Sequence, residues 1–216
     1  MTMTRPIRIV YVTSSDYKQR ENQIFEAQYR IDGRPAGELF TFDIRSVQIK
    51  EVLEVDIALM VHQEVIQAYR QVKEPCIVEH AGLIFDGFES YPGGLTKPMW
   101  NVLKERFLEE TRSGGRRSTA RAVIAYCDGQ SVRTFVGETT GVIADTVRGS
   151  REFYWDTVFV PDTSHSEAKG KTYAEIADDP KLGLEFKVTQ LSQSSRAMVK
   201  FLEYRSKCSP PLWPRL

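Results

Sequence analysis

The sequence predicts an α/β fold, and three observations lead to this prediction. A β-branched and aromatic run at residues 8–12 predicts a first strand, and residues that favour helix N-caps follow it directly. A second strand is predicted at 39–44, followed by a helix at 55–72 with apolar residues near helical spacing. The apolar run Cys76-Ile77-Val78 then predicts the end of a buried strand. Strands that alternate with helices in this way are typical of a sheet covered by helices.

Length and composition fit one large domain or two small lobes with a full core. The chain has 216 residues, of which 41% are hydrophobic and 27% are charged. The formal net charge of zero argues against a general nucleic-acid binder, which relies on neutralising phosphates. Cys76, Cys127 and Cys208 lie far apart without metal-site spacing, which suits a reducing cytosol. Because no apolar run reaches membrane-spanning length, we expect a cytoplasmic protein with neither membrane nor nucleic-acid partners.

The turn after the first strand is a candidate anion site. Residues Thr13-Ser14-Ser15-Asp16 favour helix N-caps, and a helix is expected over 17–30. Backbone N–H groups and the positive end of the helix dipole face such a turn. Lys18, one turn inside the helix, adds a mobile positive charge. From these residues alone, an ordinary capped helix with a surface lysine is the alternative.

Glu79 and His80 follow the buried strand at once. In an open α/β sheet, ligands lie beyond the carboxyl ends of strands, so this pair is well placed for chemistry. Ala81-Gly82 predicts a turn, a second apolar patch follows, and Lys97 comes just after a Pro-Gly-Gly turn. The alternative is a strand-end turn with two solvated polar groups.

The second half of the chain predicts a helix and a hairpin. The helix is expected over residues 99–111. Strands at 118–127 and 132–137 flank Asp128-Gly129, a dipeptide typical of tight turns, and 139–144 continues the sheet.

An aromatic cluster, Phe153-Tyr154-Trp155, stands beside Asp156 between turn residues. Such rings can stack on a planar ring while the carboxylate hydrogen-bonds its edge. An aromatic plug in the core is the alternative.

A last helix is expected over 191–205, with a serine as its cap. The proline-rich tail at 206–216 is a poor helix or strand, and we expect it to lie extended across a partner or the domain surface.

Taken together, these segments resemble the Ham1-like family, the inosine triphosphate pyrophosphatases that clear deaminated purine nucleotides. The family opens with Thr-(Gly/Ser)-Asn-x-x-Lys-x-x-Glu and continues with an acidic pair before Ser/Thr-Gly-Leu. Phe-Gly-Trp-Asp-Pro-x-Phe and Thr-Tyr-Ala-Glu follow later. The similar stretches here occur in the same order, at residues 13–21, 79–83, 153–159 and 172–175.

The resemblance implies one domain over 1–216, with two lobes around a long mixed twisted sheet, flanking helices and a cleft between the lobes. It also implies a homodimer. The implied ligand is a deaminated purine triphosphate such as ITP, dITP or XTP, bound with Mg²⁺ or Mn²⁺. The implied reaction is attack by water at the α-phosphate, giving monophosphate and pyrophosphate.

The resemblance also assigns roles to particular residues. The triphosphate-binding positions match Thr13, Ser14, Ser15, Lys18 and Lys97. The catalytic positions match Glu79 and His80, and the metal neighbours match Glu51, Glu54 and Glu79. The base-binding positions match Phe153, Trp155, Asp156, Gln193 and Arg196.

The chain departs from the family where the chemistry lies. His80 stands where the family has a water-activating Asp, and imidazole is a poor Mg²⁺ ligand. Ser15 replaces an Asn, Tyr154 a Gly, and Gln193 the His of a Ser-His-Arg motif. Because the phosphate side is retained and the Asp is lost, we favour a catalytically weakened sensor that signals to an effector, such as a Sir2-like NADase in antiphage defence. The alternatives are an active pyrophosphatase and a homologue that binds no nucleotide.

Overall fold

The computed structural model describes residues 6–111 and 115–211, without the side chains of 151–153. The strands are β1 (Ile7–Val12), β2 (Arg30–Ile31), β3 (Arg34–Pro35), β4 (Phe40–Arg45), β5 (Cys76–Phe85), β6 (Arg117–Cys127), β7 (Val132–Ile143) and β8 (Phe159–Pro161). The helices are α1 (Asp16–Gln28), α2 (Ala36–Leu39), α3 (Ile57–Val72), α4 (Thr96–Leu103), α5 (Tyr173–Asp178), α6 (Gly183–Phe186) and α7 (Gln193–Lys207). Short 3₁₀ turns occupy Gly93–Leu95, Lys104–Thr111 and Arg151–Thr157, and a π turn occupies Lys187–Leu191.

Within these residues, six strands form a mixed sheet in the order β4-β1-β5-β6-β7-β8. β1 is parallel to both β4 and β5, whereas the β5-β6, β6-β7 and β7-β8 pairs are antiparallel. β2 and β3 form a separate two-stranded ribbon. The predicted α/β class, a mixed sheet with flanking helices, is confirmed. The predicted hairpin is also confirmed, since Asp128 Oδ1 accepts hydrogen bonds from the N–H groups of Gln130 and Ser131 between β6 and β7.

The side chains of β1 alternate between the two faces of the sheet, and helices cover both faces. Ile9 and Tyr11 point to one face, where they join a buried cluster with residues of α1 and α7. Val10 and Val12 point to the other, where they pack with the apolar side of α3. A separate apolar cluster joins the end of β5, including Phe85, to α4, β8 and α5, and we call this part of the chain the second lobe. Helices with an apolar side therefore cover the apolar residues on both faces of the sheet.

The separation of β1 from β5 produces an opening between the lobes. These strands pair only at Val10–Cys76 and Tyr11–Ile77. β1 ends at Val12, whereas β5 continues to Phe85 paired with β6. Beyond Ile77, the edge of β5 therefore faces the turn that begins α1.

The turn predicted at Ala81-Gly82 is wrong, because β5 runs through both residues. Ala81 pairs with Ala122 and Gly82 with Arg121. The glycine is needed for close packing instead, since a Cβ on Gly82 would lie 2.1 Å from the Gly93 carbonyl oxygen. Gly82, which suggested a turn in the sequence, is the residue at which the neighbouring loop contacts the strand.

The helix predicted over 99–111 is also corrected. α4 begins earlier, at Thr96, and ends at Leu103. Lys104 has a φ of +52°, outside the right-handed helical region, and a 3₁₀ turn follows.

The last predicted helix is confirmed as α7, with Ser192 as its N-cap. Of the predicted tail, residues 208–211 follow the helix without regular structure, and 212–216 lie outside the described residues.

No helix in the described ranges is both long and apolar enough to cross a membrane.

Candidate functional site

A cavity of about 240 Å³ opens where β1 and β5 separate. We call it the cleft. It is lined by the turn before α1, by α3, by the middle of β5 and by residues of the second lobe. Its charged lining residues are Lys18, Lys97, Lys187, Glu21, Glu51, Glu64, Glu79 and Asp156.

The start of α1 places hydroxyl groups and backbone N–H groups at the cleft wall. Ser15 is the N-cap, and its side chain accepts a hydrogen bond from the Lys18 N–H at 3.4 Å. Thr13 Oγ1 accepts one from the Ser15 N–H at 3.2 Å. These residues and Ser14 line the cleft, as the anion-site prediction requires.

Lys18 and Glu79 form an ion pair at the centre of the cleft. The Lys18 Nζ lies 2.8 Å from Glu79 Oε2 and also donates to the Glu79 carbonyl. Tyr11 and Ser194 donate hydroxyl hydrogen bonds to the same carboxylate, at 3.3 and 3.0 Å. Burial by itself raises the pKa of Glu79, but Lys18 and Ser194 outweigh it, and the net pKa is lowered. Glu79 is therefore an anion that holds Lys18 in position.

Glu79 and His80 point to opposite faces of the sheet, because neighbouring residues of a strand alternate. Glu79 faces Tyr11 and Ser194, whereas His80 faces Glu64 on α3. Both line the cleft because the edge of β5 is exposed to it there. The structure therefore does not place them together as an acid–base pair.

His80 faces a buried carboxylate that the sequence analysis missed. Its Nδ1 lies 4.0 Å from Glu64 Oε2. Burial, with the charge of Lys18, lowers the pKa of His80 to about 4, so its imidazole is neutral at pH 7. Glu64 is only 4% exposed, and its Oε1 has no hydrogen-bond partner among the described residues. Burial raises the pKa of Glu64 to about 7; Lys18 and a hydrogen bond from the Val52 backbone oppose this shift, and Glu51 adds to it.

Replacing Glu64 with glutamine should make the protein more stable at pH 8 than the wild type. In the folded wild type, the Glu64 carboxyl group holds its proton up to about pH 7, whereas in the unfolded chain it releases that proton near the ordinary pKa of 4.5. Wild-type stability therefore falls as the pH rises through this window, and the amide removes this loss. We expect the stabilisation by Glu64→Gln to be about 2 kcal/mol larger at pH 8 than at pH 5.

Urea unfolding at both pH values, without nucleotide or metal, measures this difference. Glu203→Gln, at an exposed position on α7, is the matched control. An equal effect of Glu64→Gln at the two pH values would contradict the prediction.

The second-lobe end of the cleft contains a buried lysine that the sequence analysis also missed. Lys187 is 2% exposed, and its Nζ donates to Asp156 Oδ2, to Glu21 Oε1 at 2.9 Å and to the Tyr17 hydroxyl at 2.7 Å. Burial alone lowers the pKa of Lys187, but Asp156 and Glu21 raise it well above its ordinary value. The lysine is therefore charged, and it ties α1 to the second lobe.

The aromatic residues of this end have two different environments. Trp155 is 8% exposed and packs edge-on against Phe159 in the second-lobe core, while one part of it lines the cleft. Tyr154 is 44% exposed, and Lys97 lies over its ring at 5.7 Å. The cluster is therefore partly a core plug and partly a cleft wall, and stacking on a planar ring stays a prediction.

Gln193 also lines this end, at the start of α7. It is buried, and its Oε1 accepts a hydrogen bond from the Tyr173 hydroxyl at 3.2 Å.

Three residues named by the resemblance are not placed among the described side chains of the cleft. Glu54 turns its Oε1 back to the N–H groups of Val55 and Asp56, at 2.7 and 3.2 Å. Arg196 is exposed on α7, where it donates to the Glu138 carbonyl at 2.6 Å. The Phe153 side chain lies outside the described residues.

A sequence feature could have identified Glu64 but not Lys187. Glu64 falls on the buried stripe of α3 with Met60, Val61 and Ala68, and a carboxylate within an apolar stripe is a departure from the pattern. Lys187 begins the π turn before α7, where neither helical nor strand periodicity applies.

The donors of the cleft fit a divalent cation that also binds a ligand. In the described part of the chain, no three His, Cys, Asp or Glu side chains converge to form a metal site by themselves. Glu51 and Glu64 nevertheless both line the cleft, and the buried Glu64 Oε1 has no hydrogen-bond partner within the same described part of the chain. One or two carboxylates plus substrate phosphates are the usual protein environment of Mg²⁺.

Comparisons with known proteins agree with this architecture. The sequence is 31% identical over 177 residues to inosine triphosphate pyrophosphatase 2 of Trypanosoma cruzi, covering 81% of this chain and 83% of that protein. It is 30% identical over 179 residues to a dITP/XTP pyrophosphatase of Hyperthermus butylicus, covering 80% and 85%. The Coxiella burnetii HAM1 structure matches the fold with a TM-score of 0.64 at 16% identity, covering 94% of this chain and 100% of that one. The Ham1 family model matches residues 9–204, and the chain therefore belongs to the Ham1 family.

Proposed function

We propose that this chain binds deaminated purine nucleoside triphosphates such as dITP, ITP and XTP in the cleft and hydrolyses them to monophosphate and pyrophosphate. The division of the cleft into two ends carries this proposal. The capped start of α1, with Lys18 and Lys97, offers donors and positive charge for a triphosphate. Trp155 and the Asp156–Lys187 pair offer a flat apolar face and polar groups for a planar base. The names of the curated relatives support the same class of substrate.

The proposed reaction is attack of a water oxygen on the α-phosphorus. The bond from this phosphorus to the bridging oxygen breaks, pyrophosphate leaves with the electron pair of that bond, and the proton that the water loses passes to solvent. Such chemistry depends mainly on positioning and on neutralising charge. Lys18, fixed by Glu79, would bind phosphate oxygens with its remaining donor capacity, because an ammonium group has three N–H donors. A divalent ion beside Glu51 and Glu64 would supply further charge neutralisation when bound.

The charge balance of the cleft supports a cation as part of the complex. Its described lining contains three lysines and five carboxylates, a formal charge of −2 when all are ionised. A bare triphosphate is also an anion, so its binding would add like charge to this site. A cation bound with the nucleotide offsets that repulsion.

A second candidate function is binding with little turnover, and His80 is the observation that favours it. A neutral imidazole with a pKa of about 4 is a weak proton acceptor at the position that matches the family's water-activating Asp. In this case the chain is a sensor that, as a homodimer or with an effector such as a Sir2-like NADase in antiphage defence, reports the nucleotide.

Pyrophosphate release and calorimetric binding, measured on the same preparation with dITP, separate the two candidates. Catalysis predicts multiple turnovers with Mg²⁺ or Mn²⁺, whereas the sensor predicts saturable binding without release. His80→Asp restores a carboxylate, and we expect it to increase release about tenfold or more, within the usual range for a positioned base. dGTP serves as the control nucleotide. Absence of binding to dITP, ITP and XTP would contradict both candidates.

A further inference from the structure

The first two thirds of β7 form an edge of the sheet. β7 runs from Val132 to Ile143, but β8 pairs with it only at residues 141–143. Residues 132–139 therefore have β6 on one side and no strand of the described chain on the other, and we call this second side the outer edge. Such an edge presents backbone N–H and C=O groups that can pair with a strand of another molecule.

The carbonyl groups of Val136 and Glu138 point to the outer edge. The Thr140 carbonyl points away from β6, because it accepts a hydrogen bond from the Asp162 N–H, beyond β8, at 2.8 Å. Backbone groups of an antiparallel strand point to the same side at every second residue. The carbonyls at 138 and 136 therefore share this direction.

Two exposed cations of α7 already occupy these carbonyls. Arg196 donates to the Glu138 carbonyl at 2.6 Å. Lys200 donates from Nζ to the Val136 carbonyl at 2.7 Å. Four residues of a helix rise about 6 Å, and two residues of a strand rise about 7 Å. The spacing of the two side chains on α7 therefore matches the spacing of the two acceptors on β7.

Gly137 allows α7 to lie close to this edge. A Cβ on Gly137 would lie 2.0 Å from the Gln193 carbonyl oxygen and 2.4 Å from the Ala197 nitrogen. Because there is no side chain at this position, the backbone of the helix contacts the strand directly. The long side chains of α7 can then reach the outer edge.

We propose that Arg196 and Lys200 close the outer edge of β7 against strand pairing with a second copy of this chain. Pairing needs the outward carbonyls as acceptors, and the two side chains occupy them. A second copy would also bring its own two cations to the edge, so that four positive charges would meet. Charged side chains, lysine above all, are a common means of preventing association through sheet edges. The inference does not depend on the proposed function, and it gives Arg196 a role outside the cleft.

Sedimentation velocity of Arg196→Ala/Lys200→Ala, over a series of protein concentrations, tests this role. We expect the double variant to associate beyond the state of the wild type, with an affinity about tenfold or more higher. Hydrogen exchange locates the contact, because the amides of residues 134–138 should become more protected as the concentration of the double variant rises.

Arg20→Ala/Lys207→Ala is the matched control, since it removes the same two residue types from exposed helical positions. This control and Arg196→Lys/Lys200→Arg, which keeps both cations, should sediment like the wild type. Circular dichroism shows whether each variant folds, and the two single alanine variants test the same point if the double variant does not. Unchanged sedimentation of the folded alanine variants, or association without added protection at 134–138, would overturn the proposal.

Discussion

Replacing Lys187 with methionine should destabilise the protein by about 3 to 5 kcal/mol. The Lys187 side chain is 3% exposed, and its two carboxylate partners, Asp156 and Glu21, are 7% and 14% exposed. Methionine preserves most of the side-chain volume but removes the charge, which leaves two buried carboxylates without their cation. Burial and the charge of Asp156 already raise the pKa of Glu21, and Lys187 opposes that shift.

Urea unfolding at pH 7 measures this effect. Lys200→Met, at an exposed position on α7, is the control for the substitution itself. A second change, Asp156→Asn, removes one of the uncompensated charges and should restore part of the loss in the double variant. A loss below about 1 kcal/mol for Lys187→Met would show that the network contributes little.

Replacing Gly82 with alanine should disrupt the packing of β5 against the 93–96 turn. The added Cβ would lie 2.1 Å from the Gly93 carbonyl oxygen and 2.7 Å from Thr96 Oγ1. The carbonyl belongs to the backbone and cannot rotate away, so the 93–96 turn must shift from β5. Thr96 would then lose the hydrogen bond that its Oγ1 accepts from the Leu83 N–H at 2.9 Å. We expect a cost of about 3 kcal/mol and weaker triphosphate binding, because Lys97 follows this turn.

Thermal unfolding and calorimetry with dITP measure the two effects of Gly82→Ala. Gly170→Ala is a matched control, since Gly170 has a φ of +78° but no atom of a described residue lies within 4 Å of an added Cβ. It should cost only about 1 to 2 kcal/mol for the left-handed backbone, without loss of nucleotide binding. Equal effects of the two substitutions would show that the contact between β5 and the 93–96 turn is unimportant.

The local elements of the fold were predictable because their physical causes are local. β-branched runs, N-cap residues and an Asp-Gly turn predicted β1, the start of α1 and the β6-β7 hairpin within one or two residues. Ala81-Gly82 misled for a physical reason. A small residue is compatible both with a turn and with close tertiary packing, and the sequence alone does not show that the 93–96 turn contacts β5.

Within the candidate site, the sequence identified residue types but not how they pair. It predicted Glu79 and His80 as neighbours, whereas the pleat of β5 directs them to different faces and to different partners. Glu79 contacts Lys18 of α1, which is distant in sequence, and His80 faces Glu64 of α3. The network around Lys187 joins residues 170 positions apart in the chain, so no local pattern could indicate it.

The sequence by itself determined the α/β class and the capped start of α1, because capping and periodicity act over a few residues, and the order of its motifs carried the family resemblance. Only the tertiary structure decided which charges are buried, which are paired, and which are left without a partner. Burial and pairing depend on distances between separate elements, and these set the charge of Glu64, His80 and Lys187. The chemical properties of His80 therefore depend on Glu64, the carboxylate on α3 that faces it.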